Sequence, residues 1–231
     1  MGTAMMEARM DALQGFTEKE MLEQMVILDD LKEGGKKEAI PALFELLAAK
    51  KCEQATHEMI YHTLFSLMKD EEGWIRAGIR HPSYRIQLLS IRRAMKSQTS
   101  SAIPELSELL RTSPDTEVIG AIIMALGSFK DPALIDILCP YLFHPDPTIL
   151  SWAMEALTGI ENADVREILF DLIKSDENLD VPDRQCNLTT MLAVEHLGRI
   201  NDEASRNFLL AHSDHPHPAL RKAIAKALQL S

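Results

Sequence analysis

A seven-residue pattern occurs four times in this 231-residue chain, and it limits the possible folds more than any other feature. Its third, sixth and seventh positions are always aliphatic, so they fall on one face of a helix. Three of the four copies begin with proline, which is favoured in the first turn of a helix. The copies occupy Pro41–Leu47, Pro104–Leu110, Pro132–Leu138 and Ala163–Leu169. Helices that recur with one apolar face must bury it against each other, so the pattern predicts a stacked-helix array.

A second helix should follow each of these helices, because a similar Leu-containing ending recurs further along the chain. Leu126, Leu157, Leu197 and Leu228 are separated by 31, 40 and 31 residues, and Met95 and Leu67 continue the series backwards. Proline turns lie between the paired helices, at His81-Pro82, Ser113-Pro114-Asp115, His144-Pro145-Asp146-Pro147, Val181-Pro182-Asp183 and His215-Pro216-His217-Pro218. We predict six helix pairs, at about 38–68, 70–97, 102–128, 132–160, 164–199 and 203–230.

The turn and the second helix together resemble a known repeat. A Pro-Asp turn is followed by an aliphatic residue, an alanine four residues on and an Ala-Leu-Gly ending, as in Ile149, Ala153, Ala156 and Leu157, and in Val118, Ala125, Leu126 and Gly127. This is similar to the HEAT repeat, in the form called PBS-lyase HEAT-like, over about residues 36–231. The resemblance implies an all-α, right-handed HEAT/armadillo-like α-solenoid of about six helix pairs, with its second helices on the concave face.

One more helix should precede the array. The capping box Thr17-Glu18-Lys19-Glu20 opens an apolar segment that ends at Gly34-Gly35, and this helix can cover the exposed core of the first repeat. We therefore divide the chain into an N-terminal tail and capping helix at 1–35 and a HEAT-like repeat array at 36–231. Residues 1–15 form either a mobile tail or an extra helical turn.

The sequence departs from the family at one position. HEAT-like repeats often carry arginine directly after the aliphatic start of the second helix, where it pairs with the aspartate of the turn. Here that position is occupied by Ile60, Leu88, Ile119, Leu150, Thr190 and Arg221. We therefore expect apolar packing, rather than charged pairs, to hold consecutive repeats together.

Composition argues against several partners. The net charge of −11 and the pI near 5.2 oppose nucleic-acid binding, which depends on Lys and Arg at phosphates. The chain has no signal-peptide pattern and no apolar stretch of the roughly 18 residues that a membrane span needs, so we expect a soluble cytoplasmic protein. Cys52, Cys139 and Cys186 are too few and too far apart to indicate a disulfide framework or a zinc site.

Catalytic, cofactor and metal sites are not predicted. The phosphate-binding glycine motifs and the serine and cysteine nucleophile motifs are absent. His57-Glu58 is a single His-Glu pair, whereas deoxyhypusine hydroxylase, also an array of HEAT-like repeats, uses such pairs in several repeats to bind iron. His212, His215 and His217 are close in sequence, and either a metal site or a proline-rich turn could explain them.

The expected function is a non-enzymatic scaffold or adaptor that binds a protein or peptide of unknown identity on the concave face. The alternative is a HEAT-type enzyme, either lyase-like or resembling a metal-dependent hydroxylase. Counting from the aliphatic start that the repeat pattern gives each second helix, the side chains two and six places on should face the groove. They are Tyr61 and Phe65, Leu89 and Arg93, Gly120 and Met124, Ser151 and Glu155, Met191 and Glu195, and Lys222 and Lys226.

The apolar members of this set lie mostly in the early repeats, and apolar patches often mark binding sites. We expect the core of the partner site to be Tyr61, Phe65, Leu89 and Met124, flanked by Arg93 and Glu155. The alternative is that the N-terminal segment covers these residues and that they belong to the core.

The 40-residue spacing points to an insertion. Its extra residues should lie in Lys174–Gln185, as a loop or a lengthened helix start. Because this stretch is polar, we expect deletion of Asp176–Asp180 to change the melting temperature little.

Overall fold

The computed structural model describes residues 13, 15–49, 53–160, 162–180 and 184–229. Throughout these ranges the regular elements are helices, and none of the described residues is in a strand. The α-helices are α1 (Met21–Glu33), α2 (Ile40–Ala48), α3 (Gln54–Leu67), α4 (Glu72–Ile79), α5 (Tyr84–Ser97), α6 (Ile103–Thr112), α7 (Thr116–Ser128), α8 (Ile135–Leu138), α9 (Pro147–Thr158), α10 (Ala163–Lys174), α11 (Leu188–Ile200), α12 (Glu203–Ala211) and α13 (Pro218–Ala227).

The helices after α1 form the six predicted pairs, from α2 with α3 to α12 with α13. The prediction of an all-α solenoid of about six helix pairs is therefore confirmed. The chain forms two compact units, Met1–Ile122 and Ile123–Ser231, and the division falls within α7. The predicted boundary at residue 35 stays a prediction. No helix in the described ranges is both long and apolar enough to cross a membrane.

Helix α1 packs against α3, as expected for a capping helix. Its inner face buries Leu28 and Leu31, and the amide of the buried Gln24 accepts a hydrogen bond from the Thr56 hydroxyl at 2.8 Å. The same amide donates to the Phe16 carbonyl oxygen at 3.0 Å. The prediction for residues 1–12 and 14 lies outside the described residues.

The first helix of the fourth pair is broken, which the sequence prediction missed. The structure has a 3₁₀ turn at Pro132–Leu134, the four-residue α8, and a second 3₁₀ stretch at Cys139–Phe143. Pro140 explains the break, because it lacks an N–H and its ring collides with the carbonyl group four residues earlier.

The His-Pro corners share one hydrogen bond. In each, histidine Nδ1 accepts the backbone N–H of the residue two places on, at 3.0 Å from Ser83, 3.0 Å from Asp146 and 3.2 Å from His217. The acceptor nitrogen must be unprotonated, so these rings act as neutral turn caps. The Val181-Pro182-Asp183 turn lies outside the described residues.

The glycine of the Ala-Leu-Gly ending allows second helices to touch. A Cβ added at Gly127 would lie 2.6 Å from the Ala156 Cβ, and one added at Gly198 would lie 2.7 Å from the Ala227 Cβ. Within the second unit, the ends of α7 and α9, and of α11 and α13, therefore approach at positions where a side chain does not fit.

The insertion is a loop, as predicted, but part of it is buried. Between α10 and α11 it contains a 3₁₀ turn, Glu177–Asp180, and Asp176 and Leu179 are buried. The Asp176 carboxylate accepts hydrogen bonds from the Asn187 backbone N–H at 2.9 Å and from the Thr190 hydroxyl at 2.7 Å. Because these contacts anchor the loop, we expect deletion of Asp176–Asp180 to lower the melting temperature, contrary to the expectation from the sequence.

Charged pairs do join consecutive repeats, at positions other than the one where the family often carries arginine. Between first helices, Arg76 of α4 donates to the Glu105 carboxylate of α6 at 2.6 Å, and Arg80 donates to the same oxygen. In the second unit Arg166 of α10 pairs with Asp202 at 2.5 Å. Between second helices, Arg92 of α5 pairs with Glu117 of α7 at 3.2 Å, and Arg199 of α11 pairs with Glu155 of α9 at 2.6 Å.

Candidate functional site

Three of the predicted site residues meet in the first unit. The rings of Tyr61 and Phe65 stack on α3 with their centroids 6.1 Å apart, and both side chains are half-buried. The Arg93 guanidinium of α5 lies 4.7 Å from the Phe65 ring centroid. Arg93 is only 7% exposed, and its Nε has no hydrogen-bond partner among the described residues.

Leu89 was expected to be exposed in this patch, and that expectation is wrong. Its side chain is 0% exposed on α5, where it belongs to the core. Helix α5 packs against α4 of its own pair and against α2 and α3 of the preceding pair, so this position is covered. The predicted patch on α3 and α5 is therefore smaller than the sequence indicated, whereas α1 exposes Leu22 and Val26.

Met124 and Glu155 lie in the second unit and have different surroundings. Met124 is 36% exposed on α7. Glu155 accepts two hydrogen bonds from Arg199, at 2.6 and 3.0 Å, in a polar cleft of about 540 Å³. These hydrogen bonds hold the pKa of Glu155 below its usual range.

The polar cleft also contains a buried histidine. The Nδ1 atom of His196 is 2.9 Å from the Thr158 hydroxyl, and its Nε2 is 3.8 Å from Glu155. Burial, followed by the charge of Arg199, lowers the pKa of His196. The cleft is thus lined by groups that satisfy one another: Glu155 with Arg199, and Arg166 with Asp202.

A different surface stands out between α11 and α13. It is a groove of about 570 Å³ whose lining residues follow helical spacing on both helices. The α11 wall supplies Leu188, Met191 and Leu192, and the α13 wall supplies Ala219 and Ala223. The apolar groove is open because α13 presents alanines where larger side chains would fill it.

Charged side chains border this α11/α13 groove on both sides. Lys222 and Lys226 project from α13, and Glu195 and Arg199 from α11. Arg199 is held by Glu155, whereas the side chains of Lys222, Lys226 and Glu195 form no hydrogen bond or ion pair with a described residue. Among the described residues, these three charges at the groove therefore have no ion-pair partner.

Part of this surface was predicted from the sequence, by counting two and six places from the aliphatic start of each second helix. This count placed Met191, Glu195, Lys222 and Lys226 on the face of the second helices, and all four line the groove. The predicted partner site did not include these four residues, because it was placed where the face of the second helices is most apolar, in the early repeats. The alanines of α13 were the overlooked signal, since small residues leave space between helices.

The histidine clusters are explained by hydrogen bonds. The Nε2 atom of His57 is 3.0 Å from the Ala49 carbonyl oxygen, the Nδ1 of His212 is 2.8 Å from the Phe208 carbonyl oxygen, and the Nε2 of His217 is 2.7 Å from the Arg184 carbonyl oxygen. In the part of the chain that the structure describes, no three His, Cys, Asp or Glu side chains are grouped to hold a metal ion.

The half-buried Cys186 contacts the buried His217. The Cys186 Sγ lies 3.4 Å from Nδ1 of His217, whose Nε2 donates to the Arg184 carbonyl oxygen. Burial, with the charge of Asp176, raises the pKa of the Cys186 thiol. A raised pKa disfavours the thiolate, which is the nucleophilic form of cysteine. Cys52 lies outside the described residues.

The helix pairs, the capped proline turns and the close glycine contacts define a helical-repeat protein. Residues 103–184 match the family model for HEAT repeats, which confirms the predicted resemblance to the HEAT-repeat family. The rest of the array extends the same pairing on either side of that segment.

Two solved structures are similar to the chain. The complex of CpcE and CpcF of phycocyanin lyase from Nostoc sp. PCC7120 is 15% identical with a TM-score of 0.46, covering 94% of this chain and 85% of that one. Human deoxyhypusine hydroxylase in complex with glycerol is 16% identical with a TM-score of 0.39, covering 87% and 98%. No curated protein matches the sequence.

Proposed function

We propose that this protein is a non-enzymatic adaptor that binds a protein or peptide through the face formed by its second helices. The α11/α13 groove is the observation that carries the proposal. It combines an apolar lining with charged side chains that are left unpaired within the described chain. Protein interfaces have this composition, with an apolar centre and a polar rim.

The half-exposed Tyr61 and Phe65, with Arg93 behind them, and the exposed Met124 remain proposed contact positions. Aromatic residues and Met are enriched where partners bind. Leu89 is excluded from this set because its side chain is buried.

The test uses peptides rather than an unknown natural partner. Peptides are selected from a phage-displayed library on the full-length protein, and their binding is measured by fluorescence anisotropy. The two variants to compare are Leu188→Asp, in the groove, and Leu210→Asp, on α12. The two leucines are matched, since they are 47% and 48% exposed.

We expect Leu188→Asp to weaken binding of the selected peptides at least about tenfold, because a carboxylate in the apolar groove is desolvated without a partner. Leu210→Asp should leave binding unchanged. Equal effects of the two variants, or a selection that yields no groove-dependent peptide, would refute the proposed function.

A further inference from the structure

The ligand of the α11/α13 groove can be specified further from the charges around it, and this step rests on the proposed function. We propose that the groove binds an amphipathic helix that carries acidic residues along one edge, and that Lys222 and Lys226 pair with them. The chemistry of the groove supports each part of this assignment.

The helical form follows from what the groove lacks. Its walls are α-helices whose backbone hydrogen bonds are made within each helix, so they offer no free N–H or C=O row to an extended peptide. A helical ligand satisfies its own backbone groups and needs only side-chain contacts. Its apolar face can pack onto Met191, Leu192 and Ala223 in the way that helices pack onto helices.

The acidic edge follows from α13. This helix has three basic residues, Arg221, Lys222 and Lys226, and no acidic one. Arg221 is already engaged, since it donates to the carbonyl oxygens of His215 and Pro216 at 2.8 Å. Lys222 and Lys226 are four residues apart, so their ammonium groups lie along one side of α13 about 6 Å apart along its axis.

The orientation follows from the opposite wall. On α11, Glu195 forms no ion pair with a described residue, and the charge of Arg199 is offset by Glu155, so this side repels an acidic edge and accepts a basic residue. An acidic edge is therefore stabilised only when it faces α13. The local positive charge contrasts with the net charge of −11, which would otherwise repel an acidic ligand.

The probes are three synthetic amphipathic peptides, each about 15 residues long, enough for a helix to form in contact with a groove. They share one apolar face and differ at two edge positions four residues apart, which are Glu, Gln or Lys. Affinity is measured by fluorescence anisotropy for the full-length protein, for the double variant Lys222→Glu with Lys226→Glu, and for a control double variant, Lys32→Glu with Lys96→Glu. The control changes net charge equally, at lysines remote in sequence from α13.

We expect the unsubstituted protein to bind the Glu peptide about tenfold more tightly than the Gln peptide and to bind the Lys peptide most weakly. The groove double variant should reverse this order, and the control should keep it. The preference should shrink as salt rises, because exposed ion pairs are screened.

Equal binding of the three peptides, or a reversal in the control variant as well, would overturn the acidic-edge assignment while leaving the proposed function intact. The helical assignment is overturned if none of the three binds although library-selected peptides bind in a Leu188-dependent way. Loss of Leu188 dependence for every peptide would instead overturn the proposed function. A solution mass that halves in Leu188→Asp would identify a second copy of this chain as the occupant, against the proposal.

Discussion

Arg93 is a buried cation with an incomplete set of hydrogen bonds. Its guanidinium contacts the Phe65 ring, and burial lowers its pKa, although the charge of Asp70 opposes this shift. A buried ion that lacks a close partner contributes little to stability, because the desolvation penalty offsets its attractions.

We expect Arg93→Met to leave the free energy of unfolding unchanged or to raise it by up to about 1 kcal/mol, since Met keeps the apolar stem and can contact Phe65. Leu89→Ala, on the same helix, should lower it by about 2 to 5 kcal/mol through a cavity. Urea unfolding measures both. A loss above about 2 kcal/mol in Arg93→Met would contradict this description of the site.

Two histidines should make stability depend on pH. Burial lowers the pKa of His196 and of His215, and in His215 the nearby His212 and His217 add to the effect. The folded state therefore binds fewer protons than the unfolded state below the unfolded pKa of about 6.5. Stability is fully present above that pH and is lost as the pH falls through the lowered folded-state values.

We expect the melting temperature to fall between pH 7 and about pH 5.5, above the range where carboxylates titrate. In His215→Asn this fall should be smaller, because Asn can accept the same N–H in the turn without being protonated. An identical pH dependence in the variant and the parent would show that His215 is not involved.

At the scale of the helices, the glycine contacts set how closely neighbouring second helices approach. Gly127→Ala would bring a methyl group to 2.6 Å from the Ala156 Cβ and 2.7 Å from its Cα, so the backbone must shift. We expect a loss of about 1 to 3 kcal/mol in urea unfolding.

Gly159→Ala is the matched control for this glycine prediction. Its added methyl group would lie 3.4 Å from the nearest backbone oxygens, which is ordinary contact, and its φ of −66 suits alanine. We expect its stability to match or slightly exceed that of the parent protein. Equal losses in the two variants would show that the interhelical contact is not the cause.

The loop between α10 and α11 depends on one carboxylate. Asp176→Ala removes the acceptor of the Asn187 N–H and the Thr190 hydroxyl and leaves both donors unsatisfied. We expect a loss of about 2 to 4 kcal/mol by urea unfolding. Glu177→Ala, at an exposed neighbouring position, should change stability by less than about 0.5 kcal/mol. Equal free energies of unfolding for Asp176→Ala and Glu177→Ala would instead support the expectation from the sequence that this loop can be deleted with little effect.

Helix periodicity and proline turns were enough to predict the helix pairs, because apolar spacing and missing N–H groups act locally. The break at Pro140 was also readable from sequence, but the recurring pattern concealed it. The roles of Asp176 and Glu105 could not be predicted, since their partners are distant in the chain and depend on how the helices stack. Only part of the α11/α13 groove could be predicted from the sequence. The space between two helices depends on the side-chain volumes of both, and these helices are separate segments of the chain.

At the scale of the whole molecule, the distribution of charge and the division into two units both bear on where a ligand binds. The net charge of −11 is spread over the chain, whereas α13 has three basic residues and no acidic one, and α5 has four basic residues and no acidic one. The first and second units each contain stacked helix pairs, and the α11/α13 groove belongs entirely to the second. A ligand specific for that groove should therefore report on the second unit.

The central claim is that ligand binds between α11 and α13. The most direct measurement is NMR of the full-length protein with labelled methionine methyl groups, titrated with a selected peptide and assigned by single Met→Leu variants. Met191 lies in the groove, whereas Met25 and Met124 are exposed on α1 and α7. The account predicts that the Met191 signal shifts on titration while the Met25 signal stays in place. A shift at Met25 or Met124 with Met191 unchanged would contradict it.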